Sequence, residues 1–158
     1  MRATRSNAVL CGLLHAPVYL YRWRCGWLLG RRFLLLVHAG RRTGLRRETV
    51  LEVMEYRDEG PEVVVMSAFG PKADWLLNTQ AASGAEVVIG SRRFAAAHRV
   101  LGVDEAVRVI AGYEQRNRLI APVIRAALSC LLGWRYVGSD LDRRWLVAHL
   151  PLVAFRPR

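Results

Sequence analysis

Between residues 33 and 101 the chain repeats one pattern: a short apolar run rich in β-branched residues, closed by a turn signal. Gly40 closes the first run, and the pair Gly90-Ser91 separates the last two. Such runs are too short for core helices, and a two-residue turn of this type predicts a hairpin. The pattern therefore predicts five strands, over residues 33–39, 47–56, 62–67, 85–89 and 92–101.

The apolar spacing changes to that of helices in four places, and a last short run predicts a sixth strand at residues 151–155. The first helix is expected from Asp74 to about residue 82, with a Ser-Gly pair after it. The other three are expected over residues 103–117, 119–132 and 140–149. Strands followed by a helical part predict an α+β domain.

Length and charge limit what this domain can be. The 158 residues suit one domain, and a hydrophobic content of 53% is enough for a packed core. The 24 basic residues outnumber the 13 acidic ones, and Lys72 is the only lysine. The net charge of +11 attracts anionic partners such as phosphate-bearing cofactors, lipid headgroups or nucleic acid. Three widely spaced cysteines predict neither a zinc site nor a disulfide framework, which favours a reducing, cytoplasmic setting.

The N-terminal segment, residues 1–30, is predicted to be helical and to precede the domain at 31–158. Residues 6–21 carry no formal charge, yet as a helix they would reach only about 24 Å, short of a hydrocarbon core of about 30 Å. Arg22 and Arg24 follow them without a cleavage site, which disfavours a secretory signal. Two interpretations stay open: the segment packs on the domain, or it lies in an anionic membrane surface.

The loop between the first two predicted strands is the most informative segment. It reads Gly-Arg-Arg-Thr-Gly-Leu-Arg-Arg over residues 40–47, so two glycines that permit sharp turns stand among four arginines. Guanidinium forks, the Thr43 hydroxyl and backbone N–H groups are all suited to binding phosphate. A solvated basic turn is the plain alternative.

This loop and the residues after it resemble the deazaflavin-dependent nitroreductase and quinone reductase proteins, which use coenzyme F420 in a split β-barrel. The resemblance covers residues 33–101: the loop with Arg47 beyond it, the strand ending near Ser67, the Asp-Trp-Leu-Leu-Asn segment at 74–78 and the valine-rich hairpin. It implies a split β-barrel of about six mostly antiparallel strands with flanking helices.

The resemblance also implies roles for individual residues. Arg41, Arg42, Thr43 and Arg47 would hold the phosphate and acidic tail of the cofactor, and main-chain groups of Ser67, Ala68 and Phe69 would line its ring. Lys72 and Trp75 would close the edge of the pocket, although Trp75 also suits an ordinary core position. Residues 112–140 depart from the family pattern, so Tyr113 and Tyr136 are only weak candidates for contacts with substrate.

The implied function is an F420H2-dependent reductase that transfers hydride to a quinone, an enone or a nitro compound. Because the cofactor carries the chemistry, no catalytic side chain and no metal are predicted. A flavin mononucleotide (FMN) enzyme on the same barrel is one alternative, and a non-catalytic basic module on anionic membrane is another. Nucleic-acid binding is disfavoured, since no stacking platform or helix-turn-helix is visible. We expect the protein in the cytoplasm, with the inner face of the cell membrane as an alternative place, and assign no oligomeric state.

Overall fold

The computed structural model describes residues 31–81 and 84–158, and the predicted N-terminal helix lies outside them. Six antiparallel strands form a closed barrel in the order β1-β2-β3-β6-β5-β4. Their bounds are β1 Phe33–Ala39, β2 Arg46–Arg57, β3 Glu62–Met66, β4 Ala85–Ile89, β5 Arg92–Val100 and β6 Leu152–Pro157. The predicted α+β split-barrel class is therefore confirmed.

Four α-helices accompany the barrel. They are α1 Asp74–Ala81, α2 Val103–Arg116, α3 Ala121–Leu132 and α4 Asp140–His149. Each lies where the sequence predicts one, except that a short 3₁₀ turn, Arg118–Ile120, replaces the first residues expected for α3. Pro122 stands in the first turn of α3, where its missing N–H removes no helical hydrogen bond, and Gly133 ends the helix in the left-handed conformation.

Two large apolar clusters fill the domain, one inside the barrel and one outside it, and a small third one forms around Leu35 and Val37. Alternate residues of the strands point inward, so Leu34 and Leu36 of β1 meet Val63 and Val65 of β3 in the barrel interior. Val64, between those two valines, points outward and packs in the second cluster with residues of α2, α3 and α4. Because both of its faces are covered, β3 reads as a continuous run of valines instead of an alternating pattern.

A network of ions ties one end of the barrel to α2. Arg57 of β2 and Arg99 of β5 both bind Glu62 of β3 and Glu105 of α2, with distances of 2.7 to 3.0 Å. Hydrogen bonds from Arg99 and then Arg57 lower the pKa of Glu105 to about 2. Arg57 is the last residue of β2, whereas the arginine-rich loop lies at the start of that strand. The network therefore lies at the end of the barrel away from the loop.

A second network holds the chain that follows α3. The Glu114 carboxylate of α2 is buried, accepts a hydrogen bond from the Tyr136 hydroxyl and forms an ion pair with Arg143 of α4 at 2.6 Å. Removing one partner of such a buried group leaves a charge or polar atom unsatisfied. Glu114 thus fixes both α4 and residues 134–138 against α2.

The low pKa of Glu105 makes stability depend on pH. Its folded pKa of about 2 lies below the ordinary value of 4.5, so the stabilisation is complete above pH 4.5 and is lost as the pH falls towards 2. We expect the free energy of unfolding from urea titrations to fall more steeply between pH 4.5 and 2.5 in the parent than in a Glu105→Gln variant. Glu59→Gln, at an exposed position, serves as the control and should keep the parent slope. Equal slopes for the parent and Glu105→Gln would contradict this account.

Candidate cofactor site

The loop between β1 and β2 folds back on itself through its own backbone. The N–H groups of Thr43 and Gly44 both donate to the Gly40 carbonyl oxygen, and the Gly40 N–H donates to the Leu45 carbonyl oxygen at 2.9 Å. Gly44 has a φ of 66°, a left-handed conformation that favours glycine. The loop is therefore a defined turn that fixes where its side chains emerge.

Helix α1 anchors this loop through Arg41. The Asn78 side-chain oxygen accepts hydrogen bonds from the Arg41 backbone N–H at 3.0 Å and from its guanidinium at 2.9 Å. Asn78 is only 4% exposed, so these bonds satisfy a buried amide oxygen. The same guanidinium binds the Asp74 carboxylate at the start of α1, at 2.9 Å. Arg41 therefore positions the loop, and its contact with the cofactor tail, which the resemblance implies, stays a prediction.

Thr43 and Arg47 converge over Gly40. A Cβ atom on Gly40 would lie 2.9 Å from the Thr43 Oγ1 atom and 3.3 Å from the Arg47 Nε atom. Only glycine leaves room for both side chains to approach the backbone here. The position thus concentrates a hydroxyl, a guanidinium and main-chain groups at one point of the surface.

Two arginines of the loop have no carboxylate to bind. In the part of the chain that the structure describes, Arg42 and Arg47 form no ion pair, whereas Arg41 binds Asp74 and Arg46 binds Glu48. The charges of Arg41, Arg42 and Arg47 all act on Asp74: a hydrogen bond and the charge of Arg41 contribute most to lowering its pKa, with smaller contributions from the other two. All three guanidinium groups are therefore near enough to the Asp74 carboxylate for their charges to act on it.

A second turn, at residues 67–73, leads directly into α1. The Ser67 hydroxyl donates to the Gly70 carbonyl oxygen at 2.7 Å, and the Gly70 N–H donates to the Ser67 carbonyl oxygen at 2.9 Å. The Ser67 N–H donates to the Pro151 carbonyl oxygen. The N–H groups of Ala68 and Phe69 make no hydrogen bond within residues 31–81 and 84–158. The Phe69 side chain is 73% exposed. This turn and the arginine-rich loop thus both adjoin the start of α1.

Lys72 and Trp75 differ in their surroundings. Lys72 is exposed in the second turn, just before α1 begins. Trp75 is 6% exposed and packs in the barrel interior, where its ring lies 6.4 Å from that of Phe155. Trp75 therefore occupies the core position that the sequence left as its alternative, and its ring does not form an exposed pocket edge.

The two tyrosines lie apart from these loops. The Tyr113 hydroxyl donates to Glu52 at 2.6 Å, and the Tyr136 hydroxyl is bound to Glu114 in the cluster outside the barrel. Burial, and then the hydrogen bond to the neighbouring carboxylate, raises the pKa of both hydroxyls. Neither tyrosine is brought together with the arginine-rich loop.

His38 is a further residue of this region, and the sequence alone indicates only a structural or solvated position for it. It is 4% exposed at the end of β1, where the alternation after Leu34 and Leu36 turns it inward, and it pairs in register with Arg47. Its Nε2 atom lies 3.3 Å from the Thr49 hydroxyl, and burial lowers its pKa. The alternation of inward and outward side chains along β1 could have predicted this position. Every second residue from Leu34 points inward, and His38 is the last of them before the loop.

The deeper surface cavity lies elsewhere. A cavity of about 820 Å³ is lined by the β2–β3 turn with Arg99 and Arg156, at the opposite end of β2 from the loop. Arg57 and Arg99 there are already bound to Glu62 and Glu105, so their charges are satisfied by the protein. A smaller cavity of about 370 Å³ adjoins the loop between His38, Gly44, Arg46 and Glu86. Arg156 in that larger cavity is exposed and forms no ion pair in the described residues, so one unpaired guanidinium remains there. We assign the candidate site to the loop end, where two such arginines, Arg42 and Arg47, stand on one defined turn.

Comparison with known proteins agrees with this geometry. The family model of F420H(2)-dependent quinone reductase matches residues 23–118, and the chain belongs to this family. Among solved structures it is similar to an F420-H2 dependent reductase at 14% identity and a TM-score of 0.51, over 80% of this chain and 96% of that one. A protein of unknown function from Agrobacterium tumefaciens is similar at 14% identity and a TM-score of 0.52, over 90% of this chain and 55% of that one. No curated protein matches.

Family membership makes the chain an F420-dependent oxidoreductase, and the residues present fit that cofactor. F420 carries a phosphate and an acidic tail, which call for cationic forks and N–H donors. In the described residues, the loop supplies guanidinium groups without an ion pair at Arg42 and Arg47, and a Cβ on Gly40 would crowd the side chains of Thr43 and Arg47. The solved structures resembling the chain show the fold alone.

We expect a Gly40→Ala substitution to weaken F420 binding by roughly tenfold or more, because the added Cβ must displace Thr43 or Arg47. Gly60→Ala is the matched control, since a Cβ there meets nothing within 4 Å. Fluorescence titration gives the affinity, and circular dichroism checks that both variants fold. An unchanged affinity in folded Gly40→Ala would exclude this point of the loop from the site.

Proposed function

We propose that this protein transfers hydride from reduced F420 to a small electrophilic acceptor of the quinone type, with enones and nitro compounds as related acceptors. The single observation that carries the proposal is the pair of unpaired guanidinium groups, Arg42 and Arg47, on a loop that α1 holds in place. Charge left unneutralised on a rigid turn suits an anionic ligand that is present during every turnover.

When bound, F420H2 supplies two electrons and a proton as hydride. The acceptor takes up this hydride and one further proton, which completes a two-electron reduction. The residues of this chain bind and orient, and none of them needs to act as a nucleophile. Arg42, Arg47 and the Thr43 hydroxyl hold the anionic tail, and Lys72, exposed in the turn before α1, adds a further cation.

The turn at residues 67–73 is the proposed support for the deazaflavin ring. Ser67 is fully buried and pins the turn through its bond to Gly70, so the backbone at Ala68 and Phe69 is held without occupying its own N–H groups. Those N–H groups are free to donate to a ligand. Phe69, mostly exposed, offers an apolar surface that suits a flat acceptor.

We propose water as the source of the second proton. The hydroxyls of Tyr113 and Tyr136 are each committed to a carboxylate, and the raised pKa of each opposes loss of its proton. His38 is buried with a lowered pKa, so it is neutral at pH 7 and is better suited to supporting Thr49 and the loop. The pH dependence of turnover should then show no ionisation that belongs to either tyrosine.

We expect the double variant Arg42→Ala/Arg47→Ala to bind F420 more weakly by well over tenfold, since a hydrogen bond to a charged group contributes about 1.5–3 kcal/mol. Arg108→Ala/Arg156→Ala is the matched control: it removes the same charge from two exposed arginines that form no ion pair in the described residues. The control should keep the parent affinity. If both doubles lose affinity equally, only the overall charge matters and the loop is not the site.

Parallel titration with FMN distinguishes the two cofactors that the barrel could hold. We expect F420 to bind more tightly, and F420H2 oxidation, followed by absorbance with a soluble quinone, to be lost in the loop double variant. Tighter binding of FMN, with turnover dependent on it, would replace the proposed reaction by that of a flavin enzyme.

A further inference from the structure

Helix α3 is apolar on nearly all of its surface but is only partly covered by the domain. Ten of its twelve residues are apolar, and Arg125 and Ser129 are the exceptions. Only Leu128 is buried, with Ile124 and Leu132 partly buried beside it on the inward face. A helix that is hydrophobic all round is normally enclosed by protein or by lipid. The described residues of the protein leave one whole side of α3 uncovered.

The outward side of α3 continues into its neighbours as one apolar surface. Val123 is 69% exposed and Leu131 44%, while Leu119 in the preceding 3₁₀ turn is 92% exposed. The polar Ser129 does not interrupt this surface, because its hydroxyl donates to the Arg125 carbonyl oxygen and accepts from the Tyr136 N–H. Contiguous exposed apolar surface of this kind marks an interaction site.

Arginines without partners surround this surface. Residues 115–139 contain four arginines and no acidic residue. Arg116 donates to the Met54 carbonyl oxygen, but Arg118, Arg125 and Arg135 are exposed and form no ion pair in the part of the chain described. The two arginines of α4 are paired instead, Arg143 with Glu114 and Arg144 with Asp104. The charge around α3 is thus left for a partner.

We propose that α3, with residues 118–120 before it and residues 133–135 after it, is a docking surface for anionic lipid bilayers. Its apolar side would enter the interface and Arg118, Arg125 and Arg135 would meet the headgroups, as in helices that lie in the plane of a membrane. A protein partner with a hydrophobic groove would satisfy the apolar side, but the uniform positive rim favours a surface of uniform negative charge. No helix in the described ranges is long and apolar enough to cross a membrane, which agrees with docking in the plane.

The surface is separate from the candidate cofactor site and does not depend on the proposed reaction. It is built on the cluster outside the barrel, whereas the arginine-rich loop belongs to the strand end beside α1. The N-terminal segment, with Arg22 and Arg24, is a competing membrane contact by sequence, so the experiment must separate the two.

Co-sedimentation of the full chain with phosphatidylglycerol/phosphatidylcholine vesicles tests the proposal. We expect the parent to bind these vesicles and to lose binding at high salt. The variant Arg118→Glu/Arg125→Glu/Arg135→Glu should bind more weakly by on the order of 100-fold, since each basic residue near such a surface contributes up to about tenfold in affinity. Leu119→Glu/Val123→Glu should also lose binding. Val103→Glu/Leu141→Glu is the control, because it adds the same charge at two exposed apolar positions in the first turns of α2 and α4, where acids are tolerated.

Two outcomes would overturn the proposal. In one, both α3 variants bind vesicles as the parent does while Arg22→Glu/Arg24→Glu does not, which assigns docking to the N-terminal segment. In the other, all variants bind alike, so that only net charge matters. A direct readout comes from the full chain with Cys11→Ser and Cys25→Ser, labelled at the exposed Cys130 with an environment-sensitive dye. Its emission should shift to shorter wavelength with anionic vesicles, and no shift would contradict docking through α3.

Discussion

A single buried amide oxygen, that of Asn78, holds the arginine-rich loop to the barrel. This oxygen accepts two hydrogen bonds from Arg41. Asn78 lies on α1, and Trp75 and Leu76 of the same helix pack in the barrel interior. The loop is therefore fixed to a helix that is itself anchored in the barrel core. Because the same helix begins where the 67–73 turn ends, one element sets the position of both parts of the candidate site. Displacing Arg41 would release the loop and leave the buried oxygen unsatisfied, so binding geometry and stability are coupled here.

The limited number of carboxylates explains where the remaining charge lies. With 24 basic and 13 acidic residues, most carboxylates can bind an arginine, yet many arginines must stay unpaired. The carboxylates that are best satisfied, Glu62, Glu105 and Glu114, each hold two or more elements together. Several arginines without an ion pair in the described residues lie in two groups, at the loop and around α3, whereas others, such as Arg108 and Arg156, stand elsewhere. Their grouping, more than the total of +11, is what points to particular anionic ligands.

Local chemistry in the sequence predicts the elements closely and their assembly less well. β1, β4 and α4 have the bounds expected of them, and Gly40 and Gly90 are the local signals that end the two strands. The structure adds that Ser139 caps α4 through a hydrogen bond from the Asp142 N–H. The insertion of β6 between β3 and β5 depends on pairing between distant residues, for which no local pattern exists. Only the resemblance to a known family supplied the closed barrel.

The candidate site was predicted in the same uneven way. The loop residues were recognised because glycines and arginines in one turn have few other uses, and the structure gathers Arg42, Thr43 and Arg47 there. Arg41 was expected to bind the cofactor, but its two partners on α1 are visible only in three dimensions. Trp75 and Tyr136 could not be placed from sequence, because a large aromatic residue suits a core and a pocket equally well. The structure shows that both side chains are buried, and the role of each remaining site residue stays a prediction.

The measurement that tests the account most directly compares F420 with its riboflavin-level deazaflavin core, which has the same ring but lacks the phosphate and the acidic tail. Calorimetric titration of the full chain with each, at low and at high salt, separates the contribution of the tail from that of the ring. If the loop arginines hold the tail, F420 binds more tightly than the core by on the order of 100-fold or more, and salt removes much of that difference. Equal affinity for the two ligands, or a difference that salt leaves unchanged, would contradict the assignment of the arginine-rich loop to the cofactor.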